Sequence, residues 1–281
     1  GGFESFVEGF ISYLKQNTDL NYDIIFIGEP SDDFDAQKEF TSNVNWLEYR
    51  EVDTVKSRNP LGYYYKSLKL ANDCDTVLVL GLAGGFFFPF FKNRIVVNVD
   101  GLEWKRKKFS FSQRLLLWVL GITSINFSNR VILDSVALSK YAKKLNVLRT
   151  PTTVIEYTSR YELVYSITSD KLSAKKNKNF IVVCRLVPEN SIDTIIEAWC
   201  SFEKTHPDWT LTIVGDYKNT KWEELTKVPN QINWVGSIYS LSKLKRLLFD
   251  SFAYIHGHTV GGTNPSLVEA MSLGIIPLCH D

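Results

Sequence analysis

HGHTVGGTNPSLVEAMSLGIIPL, running from His256 to Leu278, reads as the tail of a buried strand, a tight glycine turn and a helix. Gly261 and Gly262 let the backbone turn with no side chain in the way. Thr263 or Asn264 can cap the helix, and Pro265 suits its first turn, where a missing N–H costs nothing. Free backbone N–H groups at the positive end of a helix dipole make a place to hold a phosphate. Glu269 lies one turn further in, where a carboxylate can accept two hydroxyls of a ribose. Gly274 ends the helix, and Ile275 to Leu278 read as the next buried strand. Together these features suggest a nucleotide diphosphate site. Glycine turns between strand and helix are common in α/β proteins and most bind nothing, so the turn alone leaves the question open.

Upstream, strands and helices alternate. Phe180 to Arg185 is a predicted strand, Ile192 to Phe202 a helix, Thr210 to Val214 a strand ending in Gly215-Asp216. Gln231 to Val235 is a strand ending in Gly236, Leu241 to Phe249 a helix, and Phe252 to Ile255 the strand feeding the opening stretch. Arg185 follows four apolar positions at a strand's end, and its planar fork of donors suits phosphate oxygens. An ion pair to Glu189 is the competing reading. His256 and His258 alternate on a strand end; one is expected to line the cleft and the other to pack. No third ligand has motif spacing, so no metal is expected.

The first half repeats the alternation. Spaced apolar residues from Phe3 to Leu14 predict an amphipathic helix behind Gly1-Gly2, a second glycine-then-helix element. Asp23 to Gly28, Asn45 to Tyr49, Thr76 to Gly81, Arg94 to Val99, Arg130 to Asp134 and Thr153 to Tyr157 read as strands. Leu61 to Ala71 and Ser135 to Leu145 read as helices. Asp100 and Glu103 follow a strand at the edge where open parallel sheets collect ligands. The cluster Phe86 to Phe91 reads as core. Lys105 to Lys108 is a basic run before an apolar helix, Leu115 to Leu120. A solvated face beside a core helix is the plain reading, and docking on an anionic membrane surface is the alternative. The polar, lysine-rich stretch from Ser159 to Asn179 divides the chain into residues 1–158 and 159–281. The fold class expected is therefore α/β, with two doubly wound, Rossmann-like domains facing a cleft.

Composition narrows the function. The chain has 281 residues, 44% of them hydrophobic and 22% charged, as in ordinary globular proteins. A net charge of +1 argues against general nucleic-acid binding. The four cysteines are far apart, and Cys184 and Cys279 read as small buried hydrophobes. No apolar run approaches the roughly 18 residues of a membrane-spanning helix. A dehydrogenase is disfavoured because no strand-linked G-x-G-x-x-G precedes a suitably placed acidic residue.

RLVPENSIDTIIEAW, LTIVGD, NWVGSI and GGTNPSLVEAMSLGIIPL together resemble the donor half of the family-four retaining glycosyltransferases of GT-B fold. GGFESFVEGF and NVDGLEWKRKKF resemble the bacterial rhamnosyltransferases that build capsular and cell-wall polysaccharides. The resemblance spans nearly the whole chain. It implies transfer of L-rhamnose from dTDP-L-rhamnose to a lipid-linked saccharide acceptor, at the cytoplasmic face of the membrane, without cofactor or metal. Arg185 and the amides from Gly262 to Ser266 would neutralise the diphosphate, Glu269 hold the ribose, and Gly236 and Ile238 the base. His258 would line the donor cleft. Asp100 and the Gly1-Gly2 turn would face acceptor and donor phosphate from the first domain. Two positions depart from most members: Gly261 stands where they carry a first Glu, and Asn190 where they carry a phosphate-binding Lys. The rhamnosyltransferase branch resembles this sequence at both. Against the family, the chain reads as truncated at both ends. A nucleotide-sugar epimerase of the same shape, a UDP-hexose-dependent transferase and a non-catalytic partner subunit remain the alternatives.

Overall fold

The structure, a computed structural model, describes Phe6, Val7, Phe10 and Tyr13 and residues 23–28, 47–52, 60–81, 84–99, 101–106, 109–157, 176–218, 220–227, 231–259 and 264–280. The chain divides into two compact units. One comprises Gly1–Lys105 and Phe109–Glu156, the other Arg106–Lys108 and Tyr157–Asp281.

In the first unit, β1 (Ile24–Gly28) pairs with β2 (Leu47–Glu51) in a parallel two-stranded sheet. A second parallel sheet runs in the order β3 (Thr76–Leu80), β4 (Arg94–Val99), β5 (Arg130–Leu133) and β6 (Thr152–Val154). Its helices are α1 (Pro60–Leu70), α2 (Phe111–Phe127) and α3 (Val136–Leu145). Val97, Val99, Val131 and Leu133 are almost fully buried and form the centre of this core with Leu68, Phe88 and Ile125. Phe6, Val7, Phe10 and Tyr13 are helical, as the spacing predicts.

Three expectations are corrected here. In the phenylalanine cluster Phe88 is buried and Phe87 and Phe91 pack against the core as expected, but Phe86 and Phe90 are exposed on a 3-10 turn. That turn is six residues long, too short to bury every ring on one side. The expected core helix is α2, and it buries only one side of its first half; Phe111, Leu115, Leu116, Trp118 and Val119 all face solvent. Cys279 is exposed, because its strand is the outermost of the sheet described next.

In the second unit, five parallel strands run in the order β11 (Ile276–Cys279), β10 (Ala253–His256), β7 (Asn179–Val183), β8 (Thr210–Val214), β9 (Ile232–Gly236). Successive residues of the central strands point to opposite sides. Ile181 and Val214 pack in one cluster, and Val182 and Ile213 in another. Helix α4 (Ile192–Phe202) covers the second cluster; α5 (Leu241–Asp250) and α6 (Pro265–Ser272) cover the first. A central parallel sheet buried on both faces needs such continuous apolar strands.

Candidate functional site

From β7 the chain winds outward through β8 and β9, then returns to the other side of β7 to lay down β10 and β11. The winding direction therefore reverses between β7 and β10. Loops leaving the carboxyl ends of two such strands diverge and open a crevice, the usual ligand position in open α/β sheets. Here the two loops are joined. His258 Nδ1 lies 2.7 Å from Asn190 Oδ1. The Thr259 backbone N–H and Oγ1 both donate to the Glu189 carbonyl, at 2.9 and 3.1 Å. Gly257 allows this approach, since a Cβ there would sit 2.3 Å from the Asn190 carbonyl oxygen. Asn190 Nδ2 donates to the Arg185 carbonyl at 2.6 Å, so its Oδ1 is the acceptor and His258 Nδ1 carries the proton. Asn190, placed by sequence as a ligand residue, thus also fixes its own loop and a histidine ring.

Helix α6 starts as the sequence suggests. Asn264, rather than Thr263, is its cap; Asn264 accepts from the Ser266 N–H at 3.0 Å, and Pro265 follows in the first turn. Leu267 N–H bonds the Asn264 carbonyl at 3.1 Å. The Ser266 amide, expected among the free donors, is therefore engaged by the cap. Gly261, Gly262 and Thr263 lie outside the described residues, as do Asp100, Gly1 and Gly2. Glu269 is 8% exposed. Gly274, at φ +72°, ends the helix.

Sequence reading missed Tyr254. Its hydroxyl donates to the Val183 carbonyl at 3.2 Å, which ties β10 to the end of β7. Burial pushes the phenol well above its ordinary range; Cys184, Cys279 and Glu269 act in the same direction and a hydrogen bond with Ser266 opposes them. The ring therefore stays protonated and bridges β7 to α6. The signal was one hydroxyl within the otherwise apolar AYI of β10.

Strand β7 stops at Val183, so Arg185 stands beyond it, on the crevice loop, with an exposed side chain. The competing ion pair is not formed. Among the described residues, nothing bonds the Arg185 guanidinium, while the Glu189 carboxyl is buried with both oxygens unbonded. Burial pushes the neighbouring Cys184 thiol up to about 12, which leaves it unreactive at neutral pH. Burial also holds His256 below the usual imidazole range, helped by His258 and His280. Gly236 closes β9, and its carbonyl accepts from the Gly215 N–H at 3.0 Å. Ile238 packs half-buried beside the α5 and α6 core. Arg185, Asn190 and His258 thus stand at the crevice with Asn264, Ser266 and Glu269 on its helix; Gly236 and Ile238 lie along the same edge, beyond β8. Among the described residues no group of three or more His, Cys, Asp or Glu side chains could hold a metal ion.

Comparison with known proteins agrees with this geometry. Residues 1–160 match the family described as a domain of unknown function, DUF1972, and residues 166–281 match the family described as glycosyl transferases group 1. No curated protein sequence matches the chain significantly. Among solved structures, Anabaena Alr3699/HepE in complex with UDP and glucose is similar at TM-score 0.67 and 14% identity, over 92% of this chain and 80% of that one. WaaG, a glycosyltransferase involved in lipopolysaccharide biosynthesis, is similar at TM-score 0.63 and 13% identity, over 91% and 80%. The pneumococcal O-GlcNAc transferase GtfA in complex with UDP and GlcNAc matches at TM-score 0.57 and 17% identity, over 79% of this chain and 45% of that one. The DUF1972 match spans more than half of the chain while residues 166–281 match the group 1 glycosyl transferases, so the chain belongs to the DUF1972 family, and its parallel-sheet units have the GT-B fold of these similar structures.

Proposed function

We propose that this chain is a retaining glycosyltransferase that moves L-rhamnose from dTDP-L-rhamnose to a lipid-linked saccharide, in the synthesis of a bacterial surface polysaccharide at the inner face of the membrane. The observation that carries the reading is the crevice between β7 and β10, bordered by Arg185, which is exposed and bonded by none of the described residues, by the cap-led helix α6 and by its buried Glu269. Arg185 would meet the diphosphate of the donor. As the sugar leaves, negative charge grows on that diphosphate, and a cation already aimed at it stabilises the transition state more than the ground state. Glu269 would accept the ribose hydroxyls, held in register by the Tyr254 bridge between β7 and α6. Asn190 Oδ1 holds the His258 ring through its Nδ1, and the ring would line the donor cleft. Gly236 and Ile238 would border the base. Asp100 and Gly1-Gly2 would serve the acceptor and the donor phosphate, and Gly261, Gly262 and Thr263 the donor phosphate.

The rhamnose assignment rests on the resemblance of the DGLEWKR and GGTNPSL segments and on Gly261 and Asn190, which depart from most members of the wider family. A 6-deoxy sugar offers one hydroxyl fewer, so a carboxylate at position 261 would have less to grip. A UDP-hexose is the second reading, because two of the similar structures are complexes with UDP.

Calorimetric titration with dTDP, UDP and GDP tests the site. The expected result is tightest binding of dTDP, weakened by both Arg185→Ala and Glu269→Ala. A preference for UDP would keep the site and move the donor to a UDP-hexose. Nucleotide binding indifferent to both substitutions would refute the site.

A further inference from the structure

Helix α2 has two apolar sides. One packs inward: Leu120 and Ile125 are buried, Leu117 joins the core, and Gly121 lies so close to Trp104 that a Cβ would stand 2.4 Å from the indole. The other side is the sequence Phe111, Leu115, Trp118 and Val119, spaced at i, i+4, i+7 and i+8, which places these residues in one stripe. They are 82%, 52%, 40% and 42% exposed, and Leu116 beside them is 51% exposed. Trp104, Phe111, Arg114, Leu115 and Trp118 line an open recess of about 220 Å³ on this side. Single exposed apolar residues need no explanation, but a contiguous stripe of them marks an interaction surface.

The charges flanking the stripe in the sequence are one-sided. Between Glu103 and Asp134 the chain has no acidic residue, and it has Lys105, Arg106, Lys107, Lys108, Arg114 and Arg130. Arg114 lies within the helix's first turn, with Nε donating to the Trp104 carbonyl at 2.7 Å, which steadies the guanidinium at the rim of the recess. Lys105 Nζ sits 4.3 Å from the centroid of the Tyr141 ring. A Ser110–Gln113 capping box fixes the helix start, so the stripe is presented by a preformed element. No helix among the described residues is long and apolar enough to cross a membrane.

We propose that the first half of α2 is an interfacial membrane anchor, which lies in the plane of an anionic bilayer with Phe111, Leu115, Trp118 and Val119 among the acyl chains. The apolar stripe supplies the burial, the basic residues select anionic headgroups, and Trp118 takes the depth that indoles favour at a membrane surface. The anchor differs from plain electrostatic docking of the basic run because the helix enters the lipid. It requires nothing of the nucleotide site.

Co-sedimentation of the whole chain with phosphatidylglycerol–phosphatidylcholine vesicles, against phosphatidylcholine alone, tests this. Binding is expected to the anionic vesicles and to weaken about tenfold or more in Leu115→Ser/Trp118→Ser, from the apolar area withdrawn from lipid. Brominated acyl chains are expected to quench wild-type fluorescence more than that of Trp118→Phe. Lys105→Gln/Arg106→Gln should lower binding several-fold and flatten its salt dependence. Melting temperature and dTDP affinity, unchanged in these variants, separate a failed anchor from a failed nucleotide site. Absence of binding to anionic vesicles would overturn the proposal, as would equal binding by the Leu115→Ser/Trp118→Ser variant. So would a concentration-dependent dimer that this variant dissolves, since the stripe would then belong to a second copy.

Discussion

Helices α2 and α6 each follow a parallel strand, and each opens on a side-chain cap, Ser110 in one and Asn264 in the other. They then treat their side chains in opposite ways. Helix α2 leaves Phe111, Leu115, Leu116, Trp118 and Val119 in solvent, while α6 buries Glu269. The difference follows from position. Helix α6 covers a five-stranded sheet beside the crevice, and its inward side meets Tyr254 and the end of β7, so a carboxylate there is enclosed. Helix α2 has more apolar surface than one side of a four-stranded sheet can cover, and the excess stays outside. Burial is decided by what lies opposite, and hydrophobicity alone ranks these two helices the wrong way round.

The comparison can be broken at its two ends. Leu120→Ala removes a buried side chain from the inward face of α2 and should cost about 3 kcal/mol of stability, read from denaturant unfolding. A cost under about 1 kcal/mol would mean that this face packs loosely. Arg185→Ala should leave stability unchanged but weaken dTDP binding by about 2 kcal/mol, roughly thirtyfold, the scale of a charge-assisted pair. Asn264→Ala, which removes the α6 cap, should cost about 1 kcal/mol of stability. It also releases the Ser266 N–H, so any change in dTDP affinity reports whether that amide is used. Leu115→Ser/Trp118→Ser should change stability by less than about 0.5 kcal/mol, because both side chains are already half in water. A loss near that of Leu120→Ala would show the outward stripe to be packed in solution.

Much of the fold and of the local structure around the candidate site was legible. Pro265 and Gly274 announce their conformations by residue type, and alternation between apolar strands and amphipathic helices announces an α/β fold. Arg185 and Glu269 could be picked out because a charge beside a buried strand, or on the inward side of a helix, needs a reason. Asn190 was singled out too, but as a ligand residue; its hold on His258 and on the Arg185 carbonyl joins residues 68 and 5 positions apart, which no local pattern records. Tyr254 escaped because a tyrosine in a buried strand looks like any aromatic until the carbonyl that receives its hydroxyl is known. Helix α2 was misjudged for the same reason: apolar spacing shows that a face exists and says nothing of what meets it.

The sequence by itself determined the local conformations, the cap-led helix at Asn264 and the chemistry available at Arg185 and Glu269, since these depend on residue type and near neighbours. Only the tertiary structure decided that β10 lies beside β7 and not beside β9, which places the two loops at one crevice. It also decided that the Glu189 carboxyl turns inward, away from Arg185, and that the apolar stripe of α2 faces outward. Each of these outcomes depends on which distant segment occupies the adjoining space, and that is settled by the packing of whole sheets and helices.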